Sequence, residues 1–195
     1  MPNWCSNTLC IQFGNKSELK KIKKLLLNKE NVVDFALAAP QPENLYQEGL
    51  SLQKEEELKE QGIPDWYNWN INNWGTKWNA SGCYLFEEDD EEIKVCFDTA
   101  WSAPEKWFYA FCDKLKDISR GITAQLRYEE SGMWFAGTYV LESDGYIYQY
   151  EGEMTNISDT TRKEVKYDSK MDVWRDTNGK FVSWADVTYE VDYGY

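Results

Sequence analysis

The sequence predicts an α+β fold built on an antiparallel sheet with helices packed on one face. Three observations carry that reading. Apolar residues alternate at period two over Ser6–Phe13, Ile93–Asp98 and Thr123–Glu129, the mark of half-buried strands. Two segments, opening after Asn15 and after Pro104, repeat apolar residues at helical spacing. Strands and helices interleave along the 195 residues, a length that suits one domain with an appendage.

In the first strand Leu9, Ile11 and Phe13 face one way, and Thr8, Cys10 and Gln12 the other. Asn15-Lys-Ser-Glu18 reads as a capping box with Asn15 at the N-cap. The helix it opens has a stripe of Leu19, Ile22 and Leu26, with Lys20, Lys21, Lys23 and Lys24 largely opposite. Val32–Ala39 fits a short strand or helix before Pro40, and Leu52–Gln61 is a charged helix stopped by Gly62. Pro64 then suits a first helical turn and Gly75 the position just past a helix end, which predicts a short aromatic helix with little exposed surface.

Cys83–Phe86 and Ile93–Asp98 read as strands joined by Glu87, Glu88, Asp89, Asp90, Glu91 and Glu92, six consecutive carboxylates. Ser102-Ala-Pro-Glu105 is a second capping-box pattern, opening a helix with Trp107, Phe108, Phe111 and Leu115 as its buried stripe. Ala124, Leu126 and Tyr128 point inward from the next strand, and Met133–Leu141 with Tyr146–Tyr150 form a hairpin around Ser143-Asp-Gly145. The order is that of a ferredoxin-like βαββαβ motif, spanning residues 1–152 with an insertion at about 30–82. Residues 153–195 form a β-rich extension. In it Met171–Arg175 and Phe181–Trp184 flank an Asn178-Gly179 turn, and Val187, Tyr189, Val191 and Tyr193 alternate as a last strand.

Composition removes several chemistries. The chain has no His, which excludes Ser-His-Asp catalysis, His-ligated zinc and imidazole switching. Its net charge of −13 argues against non-specific binding to nucleic acid, which draws on clustered Lys and Arg. The five cysteines are scattered and lack a C-x-x-C pair, so buried reduced thiols are expected rather than zinc ligands or disulfides. Neither a secretory leader nor an 18-residue apolar run is present, so the expected location is the cytoplasm, away from membranes.

Four ordered stretches carry a family resemblance: Met1-Pro-Asn-Trp-Cys-Ser-Asn7, Trp74-Gly-Thr-Lys-Trp-Asn79, Phe97-Asp-Thr-Ala-Trp-Ser-Ala-Pro104 and Phe135-Ala-Gly137. Over about residues 1–150 the chain resembles the Api-like proteins of phages, prophages and plasmids, which carry a YubB-type ferredoxin-like domain. Tyr128-Glu-Glu-Ser-Gly132 departs from the pattern by lacking a Pro before its glycine, and the long tail has no counterpart. The resemblance implies a mobile-element origin and the ferredoxin-like fold, and supplies no catalytic residues.

The function expected is non-catalytic: an acidic protein-binding protein of a mobile genetic element, inhibiting a host defence complex of the CRISPR type or another nucleic-acid-handling assembly. Glu87–Glu92 would supply charge toward a basic partner, and Trp66, Trp69 and Trp78 the aromatic anchors. No catalytic residue, metal ligand or cofactor is assigned. Plain structural alternatives are a solvated hairpin turn for the carboxylates and a lid packed on the sheet for the tryptophans. The competing functional readings are a carboxylate-metal enzyme acting on nucleotides or nucleic acid, through Asp98, Glu129, Glu130 and Glu142, and a structural phage component.

Overall fold

A computed structural model describes residues 3–155, 165–169 and 173–182. Its strands are β1 (Trp4–Gln12), β2 (Ser81–Glu88), β3 (Glu92–Ala100), β4 (Thr123–Glu130), β5 (Phe135–Leu141), β6 (Ile147–Thr155), β7 (Lys166–Asp168), β8 (Val173–Arg175) and β9 (Phe181–Val182). Its helices are α1 (Lys16–Leu26), α2 (Leu52–Glu60), α3 (Trp66–Asn73) and α4 (Glu105–Ile118). The strands form one nine-stranded sheet in the order β2-β3-β1-β4-β5-β6-β9-β8-β7. The first four, with α1 and α4 as their connections, have the strand order of the βαββαβ motif, every pair antiparallel.

Register follows from burial. Leu9 of β1 sits opposite Val95 of β3 and Leu126 of β4, and all three point to the face covered by α1 and α4. A one-residue slip would turn that whole row to solvent, so the alternation fixes the pairing. Ile22 and Leu26 of α1 and Trp107, Phe108, Phe111 and Leu115 of α4 complete the core. Each such side chain contributes about 1.5–3 kcal/mol on burial. The insertion is tied to this core by Phe35, whose ring centroid lies 4.5 Å from that of Trp107, and by Trp74, whose indole N–H donates to Ala39 O.

Asn15 caps α1 as its pattern predicts, accepting from the Ser17 and Glu18 N–H groups. Other boundaries differ for identifiable reasons. α3 is capped by Asp65, which accepts from the Asn68 N–H, so Pro64 stays outside the helix. Neither does α3 hide its surface. Tyr67 and Ile71 are exposed, while Asn70 is buried because it accepts from the Gln41 side chain and donates to Lys77 O. Ser102 does not cap α4: its hydroxyl donates to Gly75 O, and Pro104 precedes the helix. β2 and β3 extend further than expected, so Glu87, Glu88 and Glu92 lie within strands and the turn is only Asp89–Glu91. All five cysteines are reduced, but only Cys5 and Cys112 are buried.

β6 runs on past Gly152 to pair in parallel with β9. Gly152 lies so close to the Phe181 ring that a Cβ there would sit 2.7 Å from it, so the extension packs where a side chain is missing. The Asn178-Gly179 turn is held by Asp176, whose carboxylate accepts from the Asn178 and Lys180 N–H groups. Short β7 is an added strand. The alternating strand expected at Val187–Tyr193 lies outside the described residues, as do Met171 and Trp184.

Candidate functional site

Stretches far apart in the chain converge where β1 begins and β3 ends. Buried Asn7 donates through Nδ2 to Cys5 O at 2.8 Å and to Thr99 Oγ1 at 2.9 Å. Thr99 in turn donates to Ser102 O at 2.7 Å, and Thr76 donates to Ala100 O at 2.9 Å. Gly75 accepts from Ser102, and its φ of +83° places it against the first backbone N–H groups of α4, where a Cβ would crowd Glu105 N at 3.1 Å. The Trp101 N–H closes the set by donating to Asn3 O. Fully buried hydroxyls and amides are stable only when paired in this way. The one gap is Asn7 Oδ1, which has no hydrogen-bond partner among the described residues.

Above this scaffold the side chains are apolar and exposed. Trp4 is 41% exposed, Trp78 38%, and Trp101, Met133 and Trp134 47% each. The Trp4 and Trp78 rings touch, with centroids 6.2 Å apart. Trp134 arrives through the β4–β5 turn, where buried Glu130 accepts from the Gly132 and Met133 N–H groups and Gly132 lies against the Asn3 side chain. Trp101 and Trp134 both adopt left-handed backbone, at φ +74° and +60°. For bulky residues such backbone costs about 1–3 kcal/mol. Several tryptophans at one end, two of them on strained backbone, make an apolar surface of the kind that marks interaction sites.

The same end carries two carboxylates. Ser6 sits opposite Asp98 of β3 on one side and Glu129 of β4 on the other, and its hydroxyl donates to Asp98 Oδ1 at 3.1 Å. These three residues face the side of the sheet away from the helices, as does Trp4. Behind them burial pushes the Cys5 thiol up from 9.0 to about 12, with Glu130, Glu129 and Asp98 adding to the rise against a Thr99 hydrogen bond. A thiol so protonated and enclosed is not a nucleophile. Farther along the same face, Tyr167 and Ser169 from the extension close a polar cleft of about 250 Å³ over Thr8, Cys10, Lys94 and Arg127.

The residues predicted as the binding site do not form one patch. Glu87–Glu92 lie at the opposite end of β3 from Ala100, about 26 Å away along the strand. There Lys94 bridges Glu87 and Glu92, Lys23 pairs with Glu88 at 2.8 Å, and Lys16 with Asp90 at 3.0 Å. Backbone N–H groups of Glu91 and Glu92 hold the Asp89 carboxylate below its ordinary range. Trp78 belongs to the tryptophan end. Trp66 reaches it through Lys77, whose ammonium lies 5.9 Å from the Trp66 ring and 4.7 Å from that of Trp78. Trp69 instead packs edge-on against Trp74, on the core.

Trp4, Trp101 and Trp134 were not singled out by the sequence pattern. For Trp4 a signal exists, because it falls on the polar register of β1, in phase with Ser6, Thr8 and Gln12. Of the carboxylates considered for metal chemistry, Asp98 and Glu129 flank Ser6 on one face, whereas Glu130 points to the other face and Glu142 follows the far end of β5. Among the described residues no three acidic or thiol groups converge on a common point.

No family model matches the chain, and no curated protein matches its sequence. The crystal structure of protein api92 from Yersinia pseudotuberculosis, of the DUF1281 family, is similar in fold. It superposes with a TM-score of 0.51 at 8% identity, over 78% of this chain and 98% of that one. At that identity the likeness is one of architecture, and it agrees with the α+β sheet described above. Among the described residues no helix is long and apolar enough to cross a membrane.

Proposed function

We propose that this chain is a non-catalytic protein-binding protein that engages a partner with a basic surface. In its sharper form, the chain comes from a mobile genetic element, works in the host cytoplasm and inhibits a nucleic-acid-handling defence complex of the CRISPR type. The observation that carries the reading is the exposed tryptophan end on a chain of net charge −13. Tryptophan is the residue type most enriched among interface anchors, and its exposure here is built into a hydrogen-bonded scaffold. The acidic charge suits fast capture of a basic surface through long-range steering. The mobile-element origin rests on the resemblance of the four stretches to Api-like proteins, three of which supply the scaffold at the tryptophan end.

The two predicted groups take separate roles in this reading. Trp4, Trp78, Trp101 and Trp134 make the contact, and Glu87–Glu92 contribute to the field that draws the partner in. Affinity capture from a host lysate, run in parallel with wild type and a Trp4→Ala/Trp101→Ala variant, tests it. The expected result is a basic protein retained by the wild type, lost with the variant and captured less when salt is present during binding. Retention of the same proteins by both chains, or capture that ignores salt, would overturn it.

A further inference from the structure

The tryptophan end is specific about the kind of cation it fits. Trp4 faces Ala100 across β3, so Asp98 is its diagonal neighbour on one side. Ser6 faces Glu129 across β4, so Glu129 is the diagonal neighbour on the other. Diagonal positions on one sheet face lie about 7–8 Å apart, within reach of one long side chain spanning them. An exposed indole is thus diagonal to a carboxylate on each neighbouring strand, with Ser6 in the row between those carboxylates.

We infer that Trp4, with Asp98 and Glu129 beside it, is the receptor for an arginine side chain of the protein partner. This deepens the reading of the chain as a binder of basic proteins and rests on it. A guanidinium is planar, so it lies flat on the indole face while its N–H groups reach sideways to carboxylates. Both carboxylates already take part in contacts, Asp98 through Oδ1 with Ser6, and a carboxylate with one partner keeps further acceptor positions for a guanidinium fork. Lysine fits less well, because a compact ammonium over the ring cannot also donate to carboxylates on both sides. The protein already uses its aromatic faces for cations: the Lys77 ammonium is shared by the Trp66, Tyr67 and Trp78 rings. A single-stranded nucleic acid stacking on the same indole would bring phosphates against Asp98 and Glu129, which disfavours it.

The test is titration of the full chain, followed by tryptophan fluorescence and calorimetry, with blocked peptides differing only in containing arginine, lysine or citrulline. The arginine peptide is expected to bind, the lysine peptide about tenfold more weakly, and the citrulline peptide not measurably. Trp4→Ala abolishes binding. Asp98→Asn/Glu129→Gln, which keeps the side-chain shapes, weakens it about tenfold or more, and Glu60→Gln on the exposed face of α2 leaves it unchanged. Near-UV circular dichroism checks that each variant is folded. Equal binding of arginine and lysine peptides, indifference to the carboxylate variant, or displacement of the peptide by oligothymidylate would overturn the inference. Failure of the broader reading looks different. A basic protein captured equally by wild type and Asp98→Asn/Glu129→Gln refutes the arginine receptor alone, whereas capture of no basic protein by the wild type refutes both.

Discussion

The two ends of β3 are built on opposite plans. At the Glu92 end charge is dense but internally answered, by Lys94 within the sheet and by Lys16 and Lys23 reaching across from α1. At the Ala100 end charge is sparse, and the surface is indole carried on buried, hydrogen-bonded Asn7, Thr76 and Thr99. The contrast teaches that a run of acidic residues is not in itself a contact surface. Pairs as exposed as Lys16–Asp90 contribute little to stability and are screened by salt, whereas apolar surface keeps its value in salt water. In the proposed reading, contact therefore falls to the tryptophan end and long-range attraction to the acidic end.

Breaking the tryptophan end at its root gives the largest expected effect. Trp74→Ala removes a buried indole that packs edge-on against Phe35 and Trp69 and donates to Ala39 O. It is expected to cost about 3–5 kcal/mol in urea unfolding. Thr99→Val, nearly isosteric, strips the hydroxyl that joins Asn7 to Ser102 and should cost about 1–3 kcal/mol. That loss should be accompanied by a change in the fluorescence of the overlying tryptophans. Lys16→Ala at the other end should change stability by less than about 0.5 kcal/mol.

The two ends should also fail on opposite sides of the pH scale. The Cys5 thiol is raised from 9.0 to about 12 in the folded chain, so its contribution is fully present below pH 9. That contribution is lost as pH rises toward 12, because the unfolded chain gives up the proton first. Asp89 is held down by two backbone N–H groups, so its contribution is present above its ordinary value of 3.8 and disappears as pH falls through the lowered one. Melting temperature followed from pH 7 upward should show a decline above about 9 that Cys5→Ala reduces. Followed downward, it should show a smaller decline below 3.8 that Asp89→Asn reduces.

Much of the architecture was legible because each central element buries one regular face. Leu9, Ile11 and Val95 alternate without exception, and the α4 stripe from Trp107 to Leu115 repeats at helical spacing. What escaped the pattern depends on contacts between distant segments. Ser102 looks like an N-cap by spacing, but its hydroxyl is taken by Gly75, which only the folded chain brings within reach. Tryptophans read as core by composition, and the exposure of Trp101 and Trp134 comes from left-handed backbone at strand ends, which no local pattern announces. The acidic run was plain in the sequence, whereas its lysine partners on α1 come from across the fold.

Binding kinetics with a captured basic partner test the division between the two ends most directly. On a sensor surface, neutralising all six carboxylates at 87–92 should slow association and leave dissociation unchanged. Trp4→Ala with Trp101→Ala should instead speed dissociation and leave association largely intact. The reverse pattern, in which the neutralised hairpin dissociates faster and the tryptophan variant behaves as wild type, would contradict the account.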